Sequence, residues 1–327
     1  MVKKVKILAI DGGGIYGIVS AMILSELERL TGKRIAQLFD LIAGTSTGGI
    51  IALGLSMPDA TGKTPRYTAS EMVQLYEANG NQIFHRSLLH QALALGNLLD
   101  EKYPADGIER VMKKYFGERM LSEAMTKVLV TAYNIERRDA YFFKSHKASL
   151  QDDRNFYIRD VARATAAPPT YFEPAKIQNI SKSQEFVLID GGVFANNPTM
   201  CAYAELKPLY PDATDVVVVS IGTTGNKKPY VYEQARDWGS AQWVGPILEI
   251  MMDGVMETVD YQLSQIFNTI PQKDSYYVRL QAMTEGKIAF DDPTEANIRL
   301  LKEFAGKYID ENQPLLNSLA GQLIESV

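Results

Sequence analysis

The sequence predicts an α/β fold, specifically a three-layer α/β/α sandwich around a mainly parallel sheet. Two observations predict it: short runs of apolar, β-branched residues alternate with amphipathic segments, and these runs are apolar on both faces. Strands with two apolar faces are typical of a parallel sheet that helices cover on each side. The predicted strands, in chain order, are Val5–Ile10, Phe39–Ala43, Val128–Tyr133, Phe186–Ile189 and Val216–Ile221.

Helical patterns separate these strands, and one region departs from the alternation. Between about Pro58 and Glu123, helical pieces follow one another without an obvious strand, so we expect a helical insertion over one end of the sheet. We expect residues 1–327 to form a single domain that includes this insertion at about 58–123. The predicted helices are Ile18–Thr31, Gly49–Leu55, Ser70–Asn79, Ile83–Leu99, Phe156–Ala166 and Pro246–Phe267, followed by a strand, Tyr276–Gln281, and two final helices.

Composition and charge disfavour several classes of function. The 327 residues are 46% apolar and 22% charged, as in an ordinary globular protein. The net charge of −5 gives no reason to expect binding to a nucleic acid polymer, and it disfavours a purely electrostatic attachment to anionic membranes. The single cysteine, Cys201, allows no internal disulfide, and we expect a buried apolar residue rather than a reactive thiol. No run approaches the roughly 18 apolar residues of a membrane span, so we expect a cytoplasmic protein.

A candidate nucleophile lies in the motif Gly44-Thr45-Ser46-Thr47-Gly48, directly between a predicted strand and a predicted helix. A nucleophile elbow needs this context, because a sharp turn lifts the serine hydroxyl above the sheet and small neighbours relieve crowding. The dipole of the following helix favours negative charge at this point. The alternatives are a plain strand–helix connection and a loop that cradles a phosphate.

A second glycine-rich loop, Asp11-Gly12-Gly13-Gly14-Ile15-Tyr16-Gly17, also follows a strand and precedes a helix. Consecutive glycines let backbone amides approach a ligand closely, so this loop can supply the two donors of an oxyanion hole. The same letters contain a Gly-x-Gly-x-x-Gly dinucleotide fingerprint, but no acidic residue ends the next strand as a Rossmann unit requires. The loop alone does not decide between an oxyanion and a phosphate.

A third motif, Asp190-Gly191-Gly192, ends the fourth predicted strand. A carboxylate at the carboxyl end of a strand is well placed to face a site. Taken alone, the motif is equally consistent with an aspartate that begins a turn.

The histidines narrow the choice of a general base. The chain has three, His85, His90 and His146, and none of them follows Asp190 in the serine–acid–histidine order of an α/β-hydrolase triad. We expect solvated or structural roles for all three. If Ser46 is a nucleophile, Asp190 is therefore the candidate base.

These three motifs, in this order, resemble the patatin-like phospholipase family. The block from Ala162 to Pro168, the pair Tyr171-Phe172 and the run from Asp190 to Pro198 are similar to that family as well, and the resemblance covers about residues 5 to 225. It implies a patatin-like fold in which Ser46 is acylated and Asp190 is the base.

The resemblance also assigns the glycine loop. It implies that backbone amides of Gly12, Gly13 and Gly14 form the oxyanion hole, and it implies no metal or organic cofactor. The family usually has arginine or lysine where this chain has Tyr16. A cation there would support the loop electrostatically, so its absence bears on the strength of the oxyanion hole.

The function that the resemblance implies is a lipid acyl hydrolase of the phospholipase A or lysophospholipase type, which releases free fatty acids from a phospholipid or other acyl-ester lipid. We expect transient contact with a membrane surface, and a homodimer is left open. A further hypothesis is an effector of bacterial anti-phage defence with a cyclic-nucleotide activator, as in some bacterial enzymes of the family; the sequence shows no sensor motif. The alternative function is a nucleotide- or phosphate-binding protein that uses the two glycine loops.

Two segments outside the motifs have candidate roles in lipid access. The methionine-rich stretch Ile250 to Met256 is a candidate lining for an acyl-chain channel, against ordinary core packing. The helix Ile83–Leu99 is a candidate lid or membrane-facing element, against a helix packed on the core.

Overall fold

A computed structural model describes residues 3–83, 103–223, 229–269, 274–283 and 291–325. The strands are β1 Lys3–Ile10, β2 Leu41–Gly44, β3 Lys127–Asn134, β4 Asp139–Lys144, β5 Ala175–Gln178, β6 Glu185–Asp190, β7 Ala213–Ile221 and β8 Tyr276–Leu280. Within the described ranges they form one sheet in the order β5-β6-β3-β2-β1-β7-β8, with β4 paired to β3 beside this path. The pairings of β1 with β2 and β7, of β2 with β3 and of β7 with β8 are parallel, which confirms the predicted fold class.

Helices cover both faces of this sheet. They are α1 Gly17–Thr31, α2 Ile35–Leu38, α3 Thr47–Ser56, α4 Ala69–Ile83, α5 Asp106–Phe116, α6 Ser145–Ala148, α7 Ile158–Thr165, α8 Gly192–Ala195, α9 Thr199–Ala204, α10 Leu206–Leu209, α11 Tyr232–Ala235, α12 Ser240–Thr269, α13 Glu295–Glu311 and α14 Gln313–Ile324. Alternation along β1 divides the core: Leu8 and Ile10 face the apolar cluster under α1 and α3, whereas Ile7 and Ala9 face a second cluster with α9 and α10. Both faces of the sheet are therefore covered by apolar side chains and helices, as the three-layer prediction requires.

The register of β3 brings two strand ends together. Along one edge, β4 pairs with residues 129–134 of β3. Along the other edge, β2 pairs with residues 127–130 and β6 with residues 132–134. Since β2 is parallel and β6 antiparallel to β3, their carboxyl ends meet: Gly44 lies opposite Val130, and Asp190 lies opposite Ala132. Thr131 lies between the two pairs.

The direction of β6 differs from the sequence expectation. Phe186–Ile189 was predicted as a parallel strand, but β6 runs antiparallel to both β3 and β5. A short apolar run shows burial and carries no information about direction. Two further strands lack a clear signal in the sequence: β4 has exposed residues, and β5 has only four residues.

The two described helices of the predicted insertion, α4 and α5, pack into the main core. In α4, Leu75 is fully buried and Tyr76 is 2% exposed; in α5, Ile108 and Val111 are buried in the same cluster as α1 and α3. These helices are part of the wall around α1 and α3. The predicted helix Ile83–Leu99 and its role as a lid lie outside the described residues, apart from Ile83.

None of the helices in the described part of the chain is long and apolar enough to cross a membrane. The longest of them, α12, spans 30 residues and contains Pro246.

Candidate active site

Ser46 lies on a strained turn between β2 and α3. Its backbone has φ 54° and ψ −124°, a conformation that a residue with a Cβ rarely adopts. A Cβ at Gly44 would overlap the backbone of Gly48, and one at Gly48 would overlap the carbonyl of Ile10. The turn thus needs small residues on both sides of the serine, and it holds Ser46 half-buried at the amino end of α3.

Threonine side chains fasten this turn to β3. The Ser46 amide donates to Thr165 Oγ1 at 2.8 Å, and that hydroxyl donates to the Thr131 carbonyl at 2.7 Å. Thr45 Oγ1 donates to the Ala195 carbonyl at 2.6 Å and lies 2.7 Å from Thr131 Oγ1. These buried bonds connect the turn at Ser46, the centre of β3 and the segment after Asp190. Sequence analysis missed Thr131 and Thr165, although Thr165 lies in the block that carried the resemblance.

Asp190 ends β6 and faces the Ser46 turn. Asp190 is 4% exposed, and its Oδ1 accepts the Gly192 amide at 2.7 Å. Burial raises the pKa of Asp190 to about 7, and the Gly192 amide and the nearby Ser46 side chain oppose that rise. A carboxyl group with a pKa near neutrality can take a proton from the hydroxyl and return it later.

The glycine loop lies against the same serine. A Cβ on Gly12 would come within 3.2 Å of Ser46 Cβ, and one on Gly13 would overlap the side chain of Thr223. The Gly12 amide donates to the Asn196 carbonyl at 3.0 Å, so the expectation for Gly12 is revised: its amide is already occupied. The amides of Gly13 and Gly14 have no partner among the described residues and remain candidates for binding an oxyanion.

The other motif glycines permit close packing around this centre. A Cβ at Gly17 would overlap Thr47, and one at Gly191 would overlap Thr131. Gly192 contributes its amide to Asp190, as noted above. Asp11 does not reach Ser46; its buried carboxylate pairs instead with Arg279 of β8, a residue that sequence analysis did not single out.

His146 lies at the opposite ends of the strands from Ser46. It lines a surface cavity of about 950 Å³ together with Lys4, Lys6 and Lys127, which stand at the starts of β1 and β3. Its Nε2 is 3.6 Å from the Glu205 carboxylate. His146 therefore lies near the amino ends of these strands, whereas Ser46 follows the carboxyl end of β2. His85 and His90 lie outside the described residues.

The methionine-rich stretch of α12 reaches the site on one face. The Met252 methyl lies 3.6 Å from where a Cβ on Gly192 would stand, and the Asn196 side-chain amide lies 3.1 Å from Met256 Sδ. Within the described ranges, no group of histidine, cysteine, aspartate or glutamate residues is arranged to hold a metal ion. Cys201 is free and half-buried, and burial raises the pKa of its thiol.

The chain is similar to several known proteins. A family model described as Patatin-like phospholipase matches residues 8–203. Patatin-like protein 4 of Arabidopsis thaliana is 31% identical over 96% of this chain and 85% of its own length. Probable inactive patatin-3-Kuras 1 of Solanum tuberosum is 30% identical over 91% of this chain and 84% of its own length. Among solved structures, VipD from Legionella pneumophila matches with a TM-score of 0.41 and 14% identity, over 96% of this chain and 67% of VipD.

The strain at position 46 gives a prediction about stability. The free energy of unfolding of Ser46→Gly should be about 1 kcal/mol higher than that of Ser46→Ala, because glycine adopts φ 54° without crowding at Cβ. Ser46→Gly should therefore be the more stable variant. Both variants lack the hydroxyl, so urea unfolding followed by circular dichroism isolates the backbone effect. As a control, glycine at the exposed helical position Gln74 should be less stable than alanine there. A Ser46→Ala variant at least as stable as Ser46→Gly would show that the turn is not strained.

Proposed function

Because this chain belongs to the patatin-like phospholipase family, whose members hydrolyse lipid esters, we propose that it cleaves acyl-ester lipids with a Ser46–Asp190 dyad. The observation that carries the proposal is that the Ser46 turn and the buried Asp190 carboxyl meet beside Thr131 of β3, where burial raises the pKa of Asp190 to about 7. One relative bears a name that marks it as inactive, so family membership alone does not establish catalysis. The case for catalysis therefore rests on the positions of the Ser46 and Asp190 side chains.

The proposed reaction has two halves. Asp190 takes the proton of Ser46 as its oxygen attacks the ester carbonyl, and the amides of Gly13 and Gly14 bind the oxyanion. The protonated Asp190 then returns the proton to the leaving alcohol or lysophospholipid, which leaves an acyl group on Ser46. Water attacks this ester with Asp190 again as base. As the bond between the acyl carbon and Ser46 Oγ breaks, Asp190 returns the proton to Ser46 Oγ, and a free fatty acid departs.

The acyl chain would lie along α12. Met252 and Met256 flank the site there, and flexible methionines suit an apolar chain of irregular shape. The alternative function, binding of a nucleotide or phosphate, is less well supported, because a phosphate at Ser46 would approach the carboxylate of Asp190, which has no compensating cation among the described residues. The anti-phage role, the cyclic-nucleotide activator and the homodimer stay predictions.

Contact with a membrane would use the outer face of the same helix. Trp243, Ile247 and Met251 follow a four-residue spacing on α12 and are 37%, 45% and 53% exposed. Helix α12 contains acidic residues and no lysine or arginine. An exposed apolar stripe without cations favours a neutral lipid surface over an anionic one, and its inner face lies at the site where the lipid would react.

The dyad predicts which variants lose activity. Ser46→Ala and Asp190→Asn should each reduce fatty-acid release from phosphatidylcholine by about 1,000-fold or more, and the double variant should be little worse than either, because the two groups act as a unit. The activity of His146→Ala should stay within about twofold of the wild type, since His146 lies at the opposite ends of the strands from Ser46. Fatty acids are measured by mass spectrometry with purified protein. An active Ser46→Ala variant, or an inactive His146→Ala variant, would contradict the dyad.

The apolar stripe predicts a difference between two substrates. Ile247→Glu with Met251→Glu should lower hydrolysis of phosphatidylcholine vesicles about tenfold or more, and leave hydrolysis of a soluble short-chain ester within about twofold. Leu300→Glu is the matched control, because Leu300 is 50% exposed on α13, which packs against α1 on the other face of the sheet. Equal losses on both substrates, or a similar loss in the Leu300→Glu variant, would rule out this surface.

A further inference from the structure

A buried ion pair joins the glycine loop to β8. Arg279 Nη2 lies 2.5 Å from Asp11 Oδ2, Asp11 is fully buried, and the Arg279 side chain is 12% exposed. Asp11 directly precedes Gly12, and its amide donates to the Ile221 carbonyl at 3.0 Å. Its other carboxylate oxygen, Oδ1, has no hydrogen-bond partner among the described residues. The position of the Asp11 carboxylate therefore depends strongly on Arg279.

Neighbours of Arg279 continue the connection to the loop. Arg279 Nη1 donates to Ser220 Oγ at 2.7 Å, and Nη2 also donates to Gln281 Oε1 at 2.5 Å. Gln281 Nε2 donates to the Thr223 carbonyl at 2.5 Å, and Thr223 Oγ1 donates to the Gly12 carbonyl at 2.6 Å. Arg279 and Gln281 thus reach both ends of the Asp11–Gly12 unit from the end of β8.

The ion pair supplies a cation that the loop itself lacks. Tyr16, two residues after Gly14, is 9% exposed, and burial raises its pKa to about 12, so it is neutral. An unpaired Asp11 carboxylate beside the loop would repel the oxyanion that the amides of Gly13 and Gly14 are proposed to bind. Arg279 lies outside residues 8–203, the part of the chain that the family model matches.

We propose that Arg279 is a positioning residue of the oxyanion loop, which neutralises Asp11 and fixes the Gly13 and Gly14 amides for catalysis. This rests on the proposed function. The glycine loop in the first third of the chain then depends on a strand from the last quarter, and the cation reaches the loop from β8. Arg279 does not contact Ser46 or Asp190 in the described structure, so its effect is confined to stabilisation of the oxyanion.

The test separates positioning from folding and from the dyad. Arg279→Gln, Arg279→Lys, Asp11→Asn and the double Asp11→Asn/Arg279→Gln are compared with the wild type on a soluble ester, with thermal unfolding of each. We expect Arg279→Gln to lose about 100-fold in kcat with KM within about threefold, and the midpoint of the pH profile to stay in place because Asp190 is untouched. The double variant should lose less than Arg279→Gln, because no buried carboxylate is left unpaired.

Arg279→Lys decides the question if Arg279→Gln does not fold. It keeps the positive charge but cannot bridge Asp11 and Ser220 at once, so it should fold and lose about tenfold in kcat. Arg299→Gln, an exposed site on α13, is the control and should match the wild type. A folded Arg279→Gln or Arg279→Lys variant with wild-type kcat, or a loss that appears in KM or in the pH midpoint, would overturn the proposal. A Ser46→Ala variant that stays active in the same assay would instead overturn the proposed function.

Discussion

The site depends on two strands that end against each other along one edge of β3. Strand β2 arrives parallel and β6 antiparallel, so the residues after their carboxyl ends, Ser46 and Asp190, are brought together around Thr131. A parallel β6 would place Asp190 at a different position along the edge. Thr131 then acts on both sides: its hydroxyl lies next to Thr45, its carbonyl accepts Thr165, and its side chain requires glycine at position 191.

Two buried aspartates near the loop differ in their partners. Asp11 is paired with Arg279, whereas Asp190 accepts the Gly192 amide, lies near the Ser46 turn and has a pKa raised by burial to about 7. Such a pair of environments is how one fold separates a structural carboxylate from one that can exchange a proton. The arrangement costs stability, because Asp190 is buried with no cation beside it in the described part of the chain and Ser46 has a positive φ. The dense threonine bonds and the packing of α3 offset that cost.

Much of the fold and the key side chains could be predicted from the sequence. The strand–turn–helix context around Ser46 and the apolar runs of β1, β3 and β7 were sufficient, because burial and turn chemistry are local properties. The direction of β6, the occupied amide of Gly12 and the ion pair with Arg279 were not predictable in this way. Each depends on which distant segments become neighbours, and a single sequence does not encode that pairing in any local pattern. Asp190 ends a strand, as predicted, but that strand is antiparallel to its neighbours, and the role of Asp190 as a base stays a prediction.

The most direct measurement is the rate at which a fluorophosphonate labels Ser46, followed by intact-protein mass spectrometry from about pH 5 to 9. The base must be ionised to accept the proton, so the rate in the wild type should rise with pH and reach half its maximum near the pKa of Asp190, about 7. Asp190→Asn should label at least about 100-fold more slowly, without a rise in that window. A variant that labels at the wild-type rate, or a wild-type profile with no inflection near pH 7, would contradict a dyad formed where the two strands meet.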